Sequence, residues 1–283
     1  VHANPDIMYV GTASGGLWKS SSGGIKWDPI FDKELTASIG SIAIQQSNPS
    51  VLWVGTGEGN PRNRLNGGFG IYKSMDAGKT WKSMGLENTR HIHRVIIHPT
   101  NPNIVYAAAI GNPYAEHPER GVFKTTDGGE TWSKILYAND TTGCADLVMD
   151  PSNPNKLIAA MWEHKRDPWF FKSGGEGSGL FITHDGGDTW KPVTLSGSGF
   201  ATGDKIGRIG VAIFPKNPNI VYAVVDNNNL KPDTAKKKLD TTKYQLEDFK
   251  NTTKENFALL NDKKLDSFLI KNGFDAKYRS ASV

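Results

Sequence analysis

GLWKSSSGGIKW at 16–27, GIYKSMDAGKTW at 70–81, GVFKTTDGGETW at 121–132 and GLFITHDGGDTW at 179–190 are four copies of one phrase. Their closing tryptophans, Trp27, Trp81, Trp132 and Trp190, are 54, 51 and 58 residues apart. A second phrase precedes each copy: NPDIMYVGT at 4–12, NPSVLWVGT at 48–56, NPNIVYAAA at 101–109 and NPNKLIAAM at 153–161. It occurs a fifth time as NPNIVYAVV at 217–225. Ahead of the Asn-Pro turn comes an apolar run: IGSIAI at 39–44, HRVIIHP at 93–99, ADLVMDP at 145–151 and RIGVAIFP at 208–215. Three phrases in a fixed order define a repeat.

Each unit reads as four short strands, because runs rich in Val, Ile, Tyr, Trp and Ala are bounded by Asn-Pro, Gly-Gly and Asp-Gly turns. A four-stranded unit of ~50 residues, repeated without an intervening helix, is the signature of β-propeller blades. The expected fold is therefore all-β: about four four-stranded antiparallel blades plus part of a fifth, followed by a C-terminal helical insertion. Ile42, Val95, Val148 and Ala212 are expected on equivalent inner strands. Alignment of the units places Val1-His2 against Ile97-His98, so the first blade is expected to lack its innermost strand. The fifth offers only two strands before its pattern stops. The sequence thus reads as a fragment of a larger ring.

Composition separates the chain into two parts. Residues 231–283 hold twelve Lys/Arg and eight Asp/Glu, while residues 1–230 hold 21 of each. All eight Trp and 30 of the 31 Gly lie in the first part. Two domains follow: 1–230, the blades, and 231–283, a Lys-rich helical insertion within the fifth blade. There, Thr252 and Glu255 match a capping box, and Asp262 can cap a second helix ended by Asn272-Gly273. The basic excess belongs to one tail, so nucleic acid is not the expected partner. No run approaches the ~18 apolar residues of a membrane helix, and no membrane span is expected. The lone Cys144 excludes an intramolecular disulfide framework. The opening residues lack the pattern of a leader, which leaves localisation open on the residues alone.

The phrase S/T-x-D-x-G-x-T-W, at Ser74–Trp81, Thr125–Trp132 and Thr183–Trp190, resembles the Asp-box or BNR repeat of sialidases, sortilins and related propellers. The copy at Ser20–Trp27 departs from it, with Ser22 for Asp and Lys26 for Thr. The wording around the boxes is similar to that of large bacterial sortilin-like proteins often labelled glycosyl hydrolase. The residues themselves point to a structural role for the boxes, Asp76, Thr80 and Trp81, Asp127, Thr131 and Trp132, and Asp185, Thr189 and Trp190. A short carboxylate can accept from its own turn, and the following glycine permits positive φ. The tryptophan should cover the hairpin base, at a truncation cost of roughly 3–5 kcal/mol. The resemblance implies the same, since boxes in that family lie on the outer rim.

Function is expected where loops lengthen. Between the second and third strands the first unit has only ASG, whereas the others have 57–69, 110–120 and 162–178. Elaborated loops on one face of a rigid scaffold mark its working side. The candidate binding residues there are Arg62, Arg64, His117, Arg120, His164, Arg166, Trp169 and Phe170, with Glu116, Glu119 and Asp167 beside them. Trp169 and Phe170 are expected to be exposed beside Arg62, Arg64 and Arg166. Glu58 and Glu163 are the weak candidates for catalysis, as a glycosidase acid and base. His91 and His93 lie two apart and would suit two metal ligands, but no third ligand is apparent, and neither metal nor cofactor is expected.

Two functions remain open. The first is an extracytoplasmic, sortilin-like module that binds a protein or glycan at the loop face; the resemblance implies that location, whether periplasmic, outer-membrane associated or secreted. The alternative is a glycoside hydrolase of sialidase or xyloglucanase type. The FRIP-like segment that opens the sialidase arginine triad is missing from the sequence. The other expected partner is the remainder of the same propeller.

Overall fold

The computed structural model describes residues 1–60, 64–230, 242–250 and 252–279. The chain divides into two units, Val1–Asn229 and Leu230–Val283.

The first unit is a succession of five antiparallel sheets, propeller-like blades in the order of the sequence repeat. The first contains Met8–Gly11, Leu17–Ser20 and Asp28–Pro29. The second runs Ile39–Ile44, Leu52–Thr56, Ile71–Ser74 and Lys82–Ser83, and the third Ile92–Ile97, Val105–Ala109, Gly121–Thr125 and Ser133–Leu136. The fourth contains Thr142–Asp150, Asn153–Arg166, Gly179–Thr183 and Lys191–Pro192, with Phe171–Ser173 paired at its side. The fifth pairs Ile206–Ile213 with Val221–Asn227.

Central strands such as Leu52–Thr56 and Val105–Ala109 are buried throughout. A strand apolar on both faces needs a cover on each side. Neighbouring sheets supply it. Leu17, Phe31, Val54 and Tyr72 join the first sheet to the second, and Trp53, Val95, Ala107 and Phe123 join the second to the third. Tyr106, Leu136, Leu147 and Ala159 join the third to the fourth, and Ile158, Leu180, Ile209 and Val211 the fourth to the fifth.

The four expected inner-strand positions do lie on innermost strands, but two are displaced by one residue. Val54 faces Ile42 and Ala107 faces Val95, whereas their equivalents Ala159 and Ala223 face Leu147 and Val211. One step along a strand reverses the side chain. Val148 accordingly packs toward the fifth sheet and Ala212 is exposed, while Leu147 and Val211 are the buried members of the set.

Each innermost strand carries an irregularity of register near its start, at Ile39/Ser41, Ile92/Arg94, Cys144/Asp146 and Ile206/Ile209. Beside it, side chains clasp adjacent blades. Val95 N donates to Ser41 Oγ at 3.0 Å, and Val211 N donates to Asp146 Oδ2 at 3.0 Å. Arg94, at the equivalent position of the third sheet, has no acceptor to offer. It donates its Nε to Asp146 Oδ1 at 2.8 Å instead.

The boxes are closed hydrogen-bond systems. In the third sheet, Thr125 Oγ1 donates to Asp127 Oδ1 at 2.7 Å and accepts from Gly129 N at 3.0 Å. Asp127 also accepts from Thr131 N at 3.0 Å and Thr131 Oγ1 at 2.5 Å. The pattern repeats around Asp76 and Asp185. In the divergent first copy, Ser22 Oγ still accepts from Lys26 N at 2.9 Å. The tryptophans do more than cover their own hairpins. Trp81 Nε1 donates to Ile30 O and Trp132 Nε1 to Met84 O, both at 2.7 Å, on the outer part of the preceding sheet. Trp190 packs against the same apolar cluster as Ile135 of the preceding sheet, but its buried Nε1 makes no such hydrogen bond.

The second unit contains the helices Lys254–Phe257 and Asp262–Lys271. Their caps lie one residue from the expected places: Thr253 accepts from Asn256 N, and Asn261, in place of Asp262, accepts from Lys264 N. Among the described residues no helix is long and apolar enough to cross a membrane.

Two outcomes follow from the boxes. Gly129 has φ 101°, and a Cβ there would sit 2.5 Å from Trp53 Cη2. Gly129→Ala should cost roughly 2–4 kcal/mol in urea unfolding, whereas Gly210→Ala, which meets nothing within 4 Å, should cost far less. The Thr80 hydroxyl and amide, followed by the Ser74 hydroxyl, hold Asp76 at about 2 against an ordinary 3.8. A depressed carboxylate stabilises the fold fully above its unfolded value, and that stability disappears as pH falls through the folded value. Acid titration of the unfolding midpoint should therefore show a loss between 3.8 and about 2 that is smaller in Asp76→Asn.

Candidate functional site

The lengthened connections pack on one another. Leu65 N donates to Tyr114 Oη at 2.8 Å, which ties segment 57–69 to segment 110–120. Arg166 N donates to Pro113 O at 2.7 Å, which ties that segment to the fourth sheet. The third elaboration is mostly regular structure. The strand Asn153–Arg166 pairs with the sheet core and then with Phe171–Ser173, so 162–173 forms a hairpin arm. Asp167 N donates to Phe170 O at 2.9 Å and closes its tip.

That tip carries Trp169, 86% exposed, and Phe170, 58% exposed. The Arg166 guanidinium lies 5.3 Å from the Phe171 ring centroid, and Lys165 pairs with Asp167 at 3.8 Å, so the arm is braced along its length. Arg64 is exposed in segment 57–69. Arg62 lies outside the described residues. His117 is half-buried, and its Nδ1 accepts from Glu119 N at 3.1 Å.

Two of the expected binding residues are internal supports. Arg120 is 1% exposed. Its guanidinium donates to Ile110 O at 3.2 Å, Thr141 O at 3.0 Å, Ala115 O at 3.0 Å and Asn112 O. A guanidinium spreads several donors in a plane, and here they gather the carbonyls of a loop that has no ladder of its own. Gly111 allows this approach, because a Cβ there would meet Arg120 Cγ at 2.2 Å. His164 is also 1% exposed and stacks on Trp162 at 4.1 Å. Burial, with Arg120 adding repulsion, pushes its pKa down to about 3, so the ring is neutral.

The two carboxylate candidates differ in their surroundings. Glu163 accepts from Lys172 Nζ at 2.7 Å and Gly177 N at 3.1 Å. Burial raises its pKa, but the Lys172 and Gly177 hydrogen bonds outweigh it and lower the value overall. A general acid needs the opposite environment. Glu58 is buried, and its carbonyl lies 2.8 Å from His91 Nδ1.

His91 and His93 do not form a paired donor set. The irregular start of their strand sends them to separate places: His91 lines a nearly filled gap with Glu58, Trp162 and His164, and His93 faces a different cleft. Among the described residues no group of three potential ligands gathers for a metal ion.

The cleft at His93 contains charges that the sequence reading missed. It measures about 390 Å³ and is lined by Asn60, His93, Arg94, Asp146 and Arg208. A signal was present: Ser41, Arg94 and Asp146 each stand seven residues before the Asn of the Asn-Pro turn. They are polar interruptions of apolar runs at one repeated position.

The Sortilin-Vps10 family model (sortilin, neurotensin receptor 3) matches residues 70–275. The xyloglucanase Xgh74A of Acetivibrio thermocellus is 27% identical over 220 residues, which cover 66% of this chain and 24% of that protein. A xyloglucanase of Hypocrea jecorina is 23% identical over 212 residues, covering 68% and 24%. Among solved structures, an ancestral GH74 enzyme aligns with a TM-score of 0.57 at 22% identity, over 78% of this chain and 28% of that one. The GH74 enzyme of Niastella koreensis gives 0.56 at 22%, over 80% and 34%. The chain spans about a quarter of the length of the curated relatives it matches.

The role of Arg120 is testable without a ligand. Arg120→Met should remove the guanidinium donor from the carbonyls of Ile110, Asn112 and Ala115, while Thr141 O keeps the His164 amide, and cost about 3 kcal/mol or more. Hydrogen exchange should quicken in 110–120 and around Thr141 while the box hairpins keep their protection.

Proposed function

This chain belongs to the Sortilin-Vps10 family, and on that premise we propose that its loop face is a glycan-binding surface acting outside the cytoplasm. The observation that supports this reading most is the braced arm that holds Trp169 almost fully in solvent. Exposing an indole forgoes a large apolar burial, and a rigid stalk removes most of the ordering entropy of later contact. A flat apolar face suits the faces of sugar rings. The relatives named xyloglucanases favour a β-glucan backbone over a peptide as the ligand class.

The names of those relatives also favour a second reading, glycoside hydrolysis by the whole protein. Glu163 enters that reading as a base or nucleophile, since its anchored, ionised state opposes a role as proton donor.

Xyloglucan oligosaccharides titrated into the whole protein, with turnover followed in parallel, separate the two. For a binding surface, Trp169→Ala should weaken affinity roughly tenfold or more with thermal unfolding unchanged, and no turnover should appear. Turnover that vanishes in Glu163→Gln while affinity persists would establish the hydrolase instead.

A further inference from the structure

We propose that Arg208, with Arg94 beside it, forms a binding site for one small oxyanion group, a carboxylate, sulfate or phosphate, in the cleft at the innermost strands of the third to fifth sheets. The site is distinct from the Trp169 arm and does not depend on the glycan reading.

The cleft holds two guanidiniums and one carboxylate, and that carboxylate is already occupied. Asp146 Oδ1 accepts from Arg94 Nε at 2.8 Å and Leu147 N at 3.0 Å, and Oδ2 accepts from Val211 N at 3.0 Å. Its charge balances Arg94 and fastens the fourth sheet to its neighbours. Arg208 takes part in no ion pair among the described residues. Its partners are neutral: Asn60 Oδ1 at 3.2 Å, His93 Nε2 at 2.8 Å and the Trp162 ring, whose centroid is 5.4 Å from the guanidinium carbon. Since a guanidinium only donates, His93 presents Nε2 as an acceptor and is uncharged. Burial, followed by repulsion from Arg208 and Arg94, lowers the His93 pKa to about 4, in agreement with this.

Asp146 attracts Arg208 across the cleft as well as Arg94, so two guanidiniums share one carboxylate, and a half-buried cation without a carboxylate of its own is costly. Here the fold fixes the cation from three sides and leaves it facing an open cleft of about 390 Å³. Arg94 lines both this cleft and a second one of about 310 Å³ beside Ser41 and Val95, so the positive edge continues along the inner strands. An oxyanion would supply the missing charge and accept planar donors in the geometry guanidinium favours.

The test titrates sodium sulfate, sodium phosphate and sodium glucuronate into the whole protein at constant ionic strength, with sodium chloride as the control. Saturable binding by calorimetry is expected, and in Arg208→Gln it should weaken roughly tenfold or more without a fall in the thermal midpoint. Lys191→Gln, on the outer rim, should bind like the parent. The three salts distinguish inorganic anions from a sugar carboxylate as the preferred source. Equal binding in Arg208→Gln and parent, or none in the parent beyond chloride, would overturn the site. Should Arg208→Gln fold poorly, the unaltered protein decides. The His93 ring resonances must move with oxyanion concentration, because Nε2 lies 2.8 Å from the guanidinium, and their constancy would equally overturn it.

Discussion

No blade of this protein can bury itself. A four-stranded sheet apolar on both faces leaves one face wet unless another sheet stacks against it, and each central blade here has that character. Stacking therefore has to be enforced at both ends of the sheet. At the rim, the box hairpin is locked by Ser or Thr, Asp and Thr side chains, and its glycine presses against the blade before it. Trp81 and Trp132 then donate their indole N–H to the backbone of that preceding blade, while Trp190 joins it by apolar packing alone. The box is thus an inter-blade joint as much as a turn, which explains why one motif contains both a tight hairpin and a large aromatic.

Near the inner strands the joint is made differently. An irregular strand start leaves the amides of Val95 and Val211 to the side chains of the preceding sheet, Ser41 and Asp146. The third blade breaks the scheme with Arg94, which cannot accept. Leu147 N turns to Asp146 of its own strand, and Arg94 donates to the same carboxylate. One substitution in a repeated position thereby draws Asp146 into three bonds and leaves the next cation, Arg208, with neutral hydrogen-bond partners only.

The boxes and strands were legible because each is coded locally. Turn residues, a fixed spacing and a closing Trp lie within a dozen positions, so the sequence alone indicates the sheets and their order. Register was less legible. Val148 and Ala212 differ from Leu147 and Val211 by one step; the latter two, like Ile42 and Val95, stand six residues before the Asn of the Asn-Pro turn, and only that count marks the phase within a continuous apolar run. Least legible was which polar loop residues are internal. Arg120 and Arg64 look alike in sequence, yet Arg120 is enclosed by carbonyls of Ile110, Asn112, Ala115 and Thr141, contacts that exist only after the loop folds around it. His164 is likewise covered because its strand continues past the sheet into the arm. Long-range closure decided those positions, and no local pattern reports it.

The carboxylates show how this scaffold distributes its chemistry. Asp76, Asp127 and Asp185 are each saturated by their own hairpins, Asp146 by one donor of its own strand and two from adjacent blades, and Glu163 by Lys172 and Gly177. Donors gathered around a carboxylate stabilise its charged form, which suits a structural anchor and works against a group that must release and recover a proton near neutrality. Two groups of another kind stand apart from these: the Trp169 indole held in solvent, and the Arg208 guanidinium, whose hydrogen-bond acceptors are neutral. Aromatic faces and cations recognise ligands through stacking and charge and need no proton transfer to do so. On the proposed reading, recognition falls to these two separate groups, and hydrolysis by the whole protein would call for a carboxylate in less saturated surroundings.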